Sequence, residues 1–261
     1  MTPKKINSLF THLKLIQGWF DQEAALLLSL VDSFQKKNNV SGNIFEIGVH
    51  HGKSAIFLSH LLNEDEHIDV CDIFDQQQNN VSNSGFGSQT IFLNNMESLG
   101  KKMPRSIHKN LSSELAESVM LPPYRIFHID GGHLCEEAYS DLILACKFLH
   151  DKGVIVLDDP FRIEWPGVTE ALVRFLNENQ NYTGFLGGFN KLYICKTDVG
   201  DDYLSWVNDL QNIRNFNLDY PVQNKQHDFF NKPIKIFYYN LNQNPNSLKE
   251  EIWRRLKRYK K

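Results

Sequence analysis

The sequence predicts an α/β fold: a doubly wound, mostly parallel sheet with an antiparallel closing hairpin. Three observations carry this. Short apolar, β-branched runs alternate with amphipathic helical stretches over residues 20–198. A glycine-bearing turn joins the first such run directly to a helix, as in a βαβ unit. The last two runs, in "YTGFLGGFNKLYICKT", meet at a Gly-Gly-Phe-Asn turn short enough to force antiparallel pairing.

Each element follows from its pattern. "DQEAALLLSLVDSFQKK" places apolar residues at helical spacing, with Asp21 as N-cap and Glu23 in the first turn. "GNIFEIGV" is a buried strand, "KSAIFLSHLLNE" a helix and "HIDVCDIF" a second strand. The polar stretch "DQQQNNVSNSGFGSQ" leads into the helix "TIFLNNMESLG". "RSIHK" is a short third strand and "YRIFHIDG" a fourth. "CEEAYSDLILACKFLH" is a helix expected to close at the turn Asp151-Lys152-Gly153. "GVIVLDDP" is a fifth strand, followed by the helix "GVTEALVRFLNEN". No internal repeat is present. We divide the chain into an N-terminal helical segment (1–40), a core (41–198) and a C-terminal extension packing on it (199–261), one structural domain overall. The extension contains a strand, "KPIKIFYY", and a basic final helix, "SLKEEIWRRLKRYKK". It could cap the sheet, build a homo-oligomer or cover the active site.

Composition narrows the function. A net charge of -3 over 261 residues, with 23% charged and 41% hydrophobic residues, is that of an ordinary globular chain. It gives no argument for a nucleic-acid partner or a membrane surface, and neither a nucleic-acid partner nor a membrane span is expected. The longest apolar run, "AALLLSLV", is far short of the roughly 20 residues that span a bilayer. The N-terminus shows no secretory leader pattern. Four scattered cysteines without a C-x-x-C pair suit reduced thiols and a cytoplasmic location.

The stretch "EIGVHHGKS" at residues 46–54 carries the first chemistry. It ends in Gly-Lys-Ser, yet a phosphate-binding P-loop requires four residues between its glycines, and Gly48 and Gly52 enclose three. A dinucleotide turn requires glycine where His50 stands. What remains is an acid, Glu46, ahead of a strand-to-helix turn. That arrangement suits a ligand with a cationic part, and S-adenosylmethionine carries a sulfonium and an ammonium. Glu46 is expected to meet the cationic part, directly or through water. Gly48 and Gly52 let the backbone approach, and Ser54 bonds the local backbone in the first helical turn, beside Lys53. Asp72, about 20 residues beyond the turn at the end of the second strand, is placed for the ribose hydroxyls, with Asp75 as its neighbouring substitute.

As a set, these motifs resemble the class I S-adenosylmethionine-dependent methyltransferases, which have a Rossmann-like sheet. "IDGGH" after the fourth strand and "VIVLDDP" at the fifth resemble the group of Mg2+-dependent sugar and macrolide O-methyltransferases, as does the polar insertion after the second strand. The resemblance covers residues 20–198. It implies an enzyme moving a methyl group to a hydroxyl of a sugar or a sugar-containing small molecule. It further implies that Asp130, Asp158 and Asp159 hold Mg2+ and that His133 is the general base, with Asp130 beside it in the catalytic set. Crowded carboxylates need a cation, and all-oxygen ligands favour Mg2+.

Other residues carry weaker signals. Ser112 and Ser113 fall where this fold meets adenine. His50 or His51 is a candidate for lining the cofactor pocket. Trp165 and Arg162 are candidates for shaping the acceptor pocket, and Trp19 for covering the cofactor, although packing explains each as well. His128 reads as packed within its strand. Three other functions remain open: a cofactor-binding but inactive scaffold or regulatory subunit, a hydroxylase-associated protein of the same fold, and a nucleotide-phosphate enzyme built on Gly-Lys-Ser. The intact Asp130, His133, Asp158 and Asp159 set argues against the first, and the short loop with Glu46 against the last.

Overall fold

The structure is a computed structural model and describes residues 1–218 and 222–239. The elements run α1 (Pro3–Leu13), α2 (Gln22–Lys37), β1 (Asn43–Ile47), α3 (Lys53–Leu61), β2 (Ile68–Cys71), α4 (Gln89–Leu99), β3 (Ser106–His108) and β4 (Tyr124–Ile129). There follow α5 (Cys135–Phe148), β5 (Leu149–Asp158), α6 (Pro166–Glu178), β6 (Tyr182–Gly188), β7 (Lys191–Lys196), α7 (Thr197–Asn208), α8 (Leu210–Asn215), β8 (Val222–Phe229) and β9 (Lys232–Tyr239).

One nine-stranded sheet has the order β3-β2-β1-β4-β5-β7-β6-β9-β8. Strands β1 to β5 are mutually parallel, and β7 is antiparallel to both β5 and β6. Parallel strands buried on both faces carry apolar residues on both, which explains the unbroken runs in β4 and β5. Ile44, Ile126, Val154 and Val156 face one core layer with α2, α3 and α7. Phe45, Ile47, Phe127, Ile129, Ile155 and Leu157 face the other with α5 and α6.

Several expectations are corrected in detail. The α5 helix ends at Phe148, and β5 begins at once at Leu149 rather than at Gly153. Its first residues pair irregularly, with a register shift between Tyr124 and Ile126 of β4, so the sequence Asp-Lys-Gly bends a strand instead of closing a helix. Asp21 occupies the N-cap of α2, but its side chain makes no capping hydrogen bond. The strand expected at residues 232–239 is β9. It pairs in parallel with β6 and antiparallel with β8, a strand the polar sequence "VQNKQHDF" did not announce. The basic helix expected at 247–261 lies outside the described residues.

The β6–β7 hairpin turns on Phe189 and Asn190, both with positive φ (50° and 66°). This turn hand matches the twist of the strands it joins and fixes their register. In that register Asp158 of β5 stands directly opposite Lys191 of β7.

Candidate active site

Strand order reverses on either side of β1: β2 and β3 lie to one side, β4 and β5 to the other. Ligands of open α/β sheets bind outside the carboxyl ends of the strands at such a switch point. A cleft of about 1160 Å3, its open mouth included, lies there. Gly48, His50, Asp72, Ser112, Asp130, His133, Asp158 and Asp159 all line it.

The turn after β1 forms its floor. Gly48 has φ 81°, and a Cβ there would lie 1.7 Å from the carbonyl oxygen of Asp130, so only glycine allows β1 and β4 to end this close together. Asp130 N–H donates to the Ile47 carbonyl at 2.8 Å, and Gly48 N–H to the Cys71 carbonyl at 2.9 Å. Gly52 stands at the N-cap of α3 with φ 88° and packs on Phe92, away from the cleft. Lys53 and Ser54 open α3, as expected, and both border the cleft.

Glu46 is placed differently from the expectation. It is fully buried beneath the turn, and its Oε1 lies 2.8 Å from His128 Nδ1. Alternation along β1 sends Phe45 and Ile47 to one face and Glu46 to the other, toward α3, and Glu46 is not among the residues lining the cleft, although Ser54 beside it is. Burial pushes its pKa up to about 8, against opposing pulls from the Ser54 hydroxyl and Lys191. Burial likewise holds His128 well below the usual histidine range, so at neutral pH the pair is a hydrogen bond between uncharged groups. Because Glu46 titrates higher in the folded chain than its ordinary 4.5, its stabilising contribution is whole below about pH 4.5 and is lost as pH rises through about 8. Glu46→Gln keeps a donor for His128 and removes the titration. Its stability relative to wild type is expected to improve between pH 5 and 8, by on the order of 1 kcal/mol per pH unit. Urea denaturation across that range checks this, and parallel stability curves for the two proteins would contradict it.

Asp72 holds the turn. Its Oδ2 accepts from the backbone N–H of Val49 (2.5 Å) and His50 (2.7 Å), and its Oδ1 from Phe74 N–H (2.5 Å). A carboxylate has about four acceptor sites, so one remains for a ribose hydroxyl. The expected role is therefore shared with a structural one that the spacing did not reveal. Asp75 is exposed and paired with Lys109 at 2.8 Å, outside the cleft. Ser112 lines the cleft and Ser113 does not; Asn110 and Leu111, ahead of them, were missed.

The polar insertion after β2 folds back over the opening. Asn80 Nδ2 donates to the Gly85 carbonyl at 2.7 Å, and Gly85 and Gly87 pack on Trp19, His50 and Asp72. Trp19 lies 5.6 Å, ring to ring, from His50, so it both packs and lines the cleft. Burial, with His51 adjacent, pushes His50 down to about 4, leaving an uncharged ring in the wall.

The acids at the ends of β4 and β5 do converge, but Asp158 and Asp159 are already partnered. Burial raises both Asp130 and Asp158, Asp130 the further because the neighbouring Asp158 charge adds to it. Asp158 Oδ1 lies 2.9 Å from Lys191 Nζ, an ion pair whose lysine is buried and whose carboxylate borders the cleft; the contact is one of charge, since Nζ makes no aligned hydrogen bond. Asp159 (φ 57°) receives Asn190 Nδ2 and Arg162 Nη1 (3.5 Å) on Oδ1 and lies 3.2 Å from His133 Nε2 through Oδ2. Burial alone would raise Asp159; the His133 and Asn190 bonds overcome this and hold it below the ordinary carboxylate range. Among the described residues, no group of three His, Cys, Asp or Glu side chains is arranged to hold a metal ion. The residues expected to bind Mg2+ do not fit one in this arrangement: Asp158 is paired with Lys191, and Asp159 with Arg162, while His133 and Asn190 occupy the remaining Asp159 contacts. Lys191 and Asn190, which the sequence did not single out, lie in the hairpin that the Gly-Gly-Phe-Asn turn announced.

His133 lies between Asp159 and the Trp165 ring, 4.2 Å away centre to centre. Its Nδ1 has no partner within the protein. Nδ1 is buried in this arrangement, so an acceptor must displace its neighbours to reach it; an imidazole held by a carboxylate on one nitrogen, with the other unpartnered, is the usual arrangement of a general base.

Comparison with known proteins agrees with this geometry. A family model described as "Methyltransferase domain" matches residues 45–160. No curated protein matches the chain by sequence. Several solved structures share the fold. One titled as the O-methyltransferase NovP has a TM-score of 0.55 at 15% identity, over 67% of this chain and 80% of that one. Cofactor-bound Rv0187 from MTB has 0.53 at 12% identity, over 73% and 87%. A protein from Staphylococcus aureus titled as a caffeoyl-CoA O-methyltransferase has 0.52 at 17% identity, over 74% and 91%. The cleft fits S-adenosylmethionine: a glycine floor at the switch point, a carboxylate with an acceptor site left at the end of β2, and Ser112 beyond it. Residues 45–160 match the methyltransferase-domain model, and the sheet that carries them shares its fold with solved O-methyltransferase structures.

Proposed function

We propose that this chain transfers a methyl group from S-adenosylmethionine to a hydroxyl of a sugar or sugar-containing small molecule, with His133 as general base. The observation that carries this reading is the His133–Asp159 pair at the cleft, with Nδ1 left without a protein partner. When bound, S-adenosylmethionine supplies a methyl group on a positively charged sulfur, which departs with the electron pair as the acceptor oxygen bonds the methyl carbon.

The chain's residues do the rest. Gly48 and Asp72 shape and hold the floor on which the cofactor lies. Asp159 fixes the His133 tautomer by accepting from Nε2–H, which leaves the Nδ1 lone pair for the acceptor's hydroxyl proton. Asp130 lines the cleft beside His133 and helps shape the place of the acceptor; alignment of oxygen, carbon and sulfur supplies much of the rate. The insertion presents amide and hydroxyl side chains such as Gln77, Asn80 and Ser84 to the opening, a lining suited to a hydroxyl-rich acceptor. Together with Trp165, an aromatic face of the kind that packs on sugar rings, this supports the acceptor class that the motifs imply.

Calorimetry with S-adenosylmethionine, ATP and NAD, followed by a screen of hydroxylated acceptors read by mass, tests the proposal. Saturable binding of S-adenosylmethionine alone and a one-methyl mass gain on a sugar-bearing acceptor are expected. Binding of ATP without S-adenosylmethionine would overturn it.

A further inference from the structure

We infer that Lys191 is the resident cation of the acidic cluster and that this chain transfers its methyl group without a divalent metal. The inference rests on the methyltransferase reading and deepens it.

The position of Lys191 is built by the fold. The two-residue turn at Phe189–Asn190 sets the hairpin register, and β7 pairs with β5 so that Lys191 is directly opposite Asp158. Directly opposed residues on antiparallel strands point to the same face of the sheet. Lys191 is 3% exposed, and its ammonium lies 2.9 Å from Asp158 Oδ1 and 5.5 Å from the centre of the Phe20 ring. A buried ammonium is costly unless it is paired, so its carboxylate partner is a permanent requirement of the folded chain. The same turn supplies Asn190, which bonds Asp159, and its carbonyl accepts from Asp159 N–H at 3.0 Å. One hairpin therefore meets both acids at the end of β5.

A divalent ion bound to Asp158 would have to share that carboxylate with an ammonium already in contact with it. Two cations on one buried carboxylate repel one another. Both oxygens of Asp159 are engaged with side chains of the protein. The charge-balancing role that a metal would fill is filled by Lys191. It acts through Asp158 and Asp130 and does not itself line the cleft, so it is a positioning residue.

The test uses the full-length chain. Elemental analysis of the purified protein is combined with calorimetric titration of MgCl2 and MnCl2 after EDTA dialysis, and S-adenosylhomocysteine is titrated in the same instrument. Substoichiometric metal, no saturable heat from either ion, and equal transfer rates with and without EDTA are expected. One equivalent of bound divalent ion, or loss of transfer in EDTA, would overturn the inference. Failure of S-adenosylhomocysteine to bind would instead strike the methyltransferase reading itself. Lys191→Met adds a second measurement: kcat is expected to fall about 100-fold while S-adenosylhomocysteine affinity stays at the wild-type value. An unchanged kcat would remove the positioning role, and the wild-type metal titration decides the matter even where this variant does not fold.

Discussion

His133→Ala is expected to lower kcat by about 10²- to 10⁴-fold, the range that a positioned general base contributes, while S-adenosylhomocysteine affinity and Tm stay near wild type. His133 reaches the cleft from the loop after β4, and its ring is held by two contacts, Asp159 Oδ2 at 3.2 Å and the Trp165 ring at 4.2 Å. Neither contact lies between the core layers, so truncation opens no interior void. Added imidazole is expected to restore part of the rate, because the missing function is a proton acceptor in a cleft open to solvent. Asp159→Asn separates charge from shape. Asp159 has φ 57°, a conformation that asparagine tolerates as well as aspartate, so the backbone keeps its path. The amide cannot hold the His133 tautomer as a carboxylate does, and a smaller loss of kcat than in His133→Ala is expected. Steady-state kinetics with a confirmed acceptor measures both. A His133→Ala enzyme with the wild-type kcat would end the general-base assignment.

The order of strands and helices was legible because both faces of the sheet are covered, which writes β1, β4 and β5 as continuous apolar runs between amphipathic helices. The glycine turn was legible for a local reason: Gly48 must let two strand ends approach, and this requirement leaves its mark at a single position. What the sequence concealed is which face each side chain meets. Glu46 sits in a strand apolar on both sides, so nothing local indicates that it turns toward α3 and His128 rather than toward the cleft. Lys191 was hidden by register. It lies far along the chain from Asp158, and only the pairing imposed by the Phe189–Asn190 turn puts the two face to face; a slip of one residue would place Leu192 there instead. Strand β8 escaped because it is an edge strand with polar residues on both faces and no periodicity to detect.

The largest effect on stability is expected from Arg125→Met, a loss of about 3–5 kcal/mol. Arg125 stands in the middle of an apolar strand, "YRIFHI", and is fully buried. Its guanidinium lies 3.0 Å from Asp32 Oδ1, donates to Glu66 Oε1 and Oε2 (2.9 and 3.0 Å) and to Gln35 Oε1 (2.8 Å), and reaches the Leu61 carbonyl at 3.0 Å. These partners belong to α2, to the end of α3 and to the turn before β2, so one side chain fastens the helical layer to the centre of the sheet. Burial raises the Glu66 pKa, but the bonds from Arg125 outweigh this and hold it below the usual carboxylate range. The Glu66 contribution is therefore present at neutral pH and is lost as pH falls through its lowered pKa. Methionine fills most of the volume but leaves the Asp32 and Glu66 carboxylates without this cation, and that uncompensated charge is the source of the cost. A fall in Tm of about 6–20 °C is expected for a chain of this size. Replacing Glu66 by Gln in the same chain is expected to recover part of it, because one of the stranded charges is removed. A Tm equal to that of wild type in Arg125→Met would show that the layer is held by apolar packing alone.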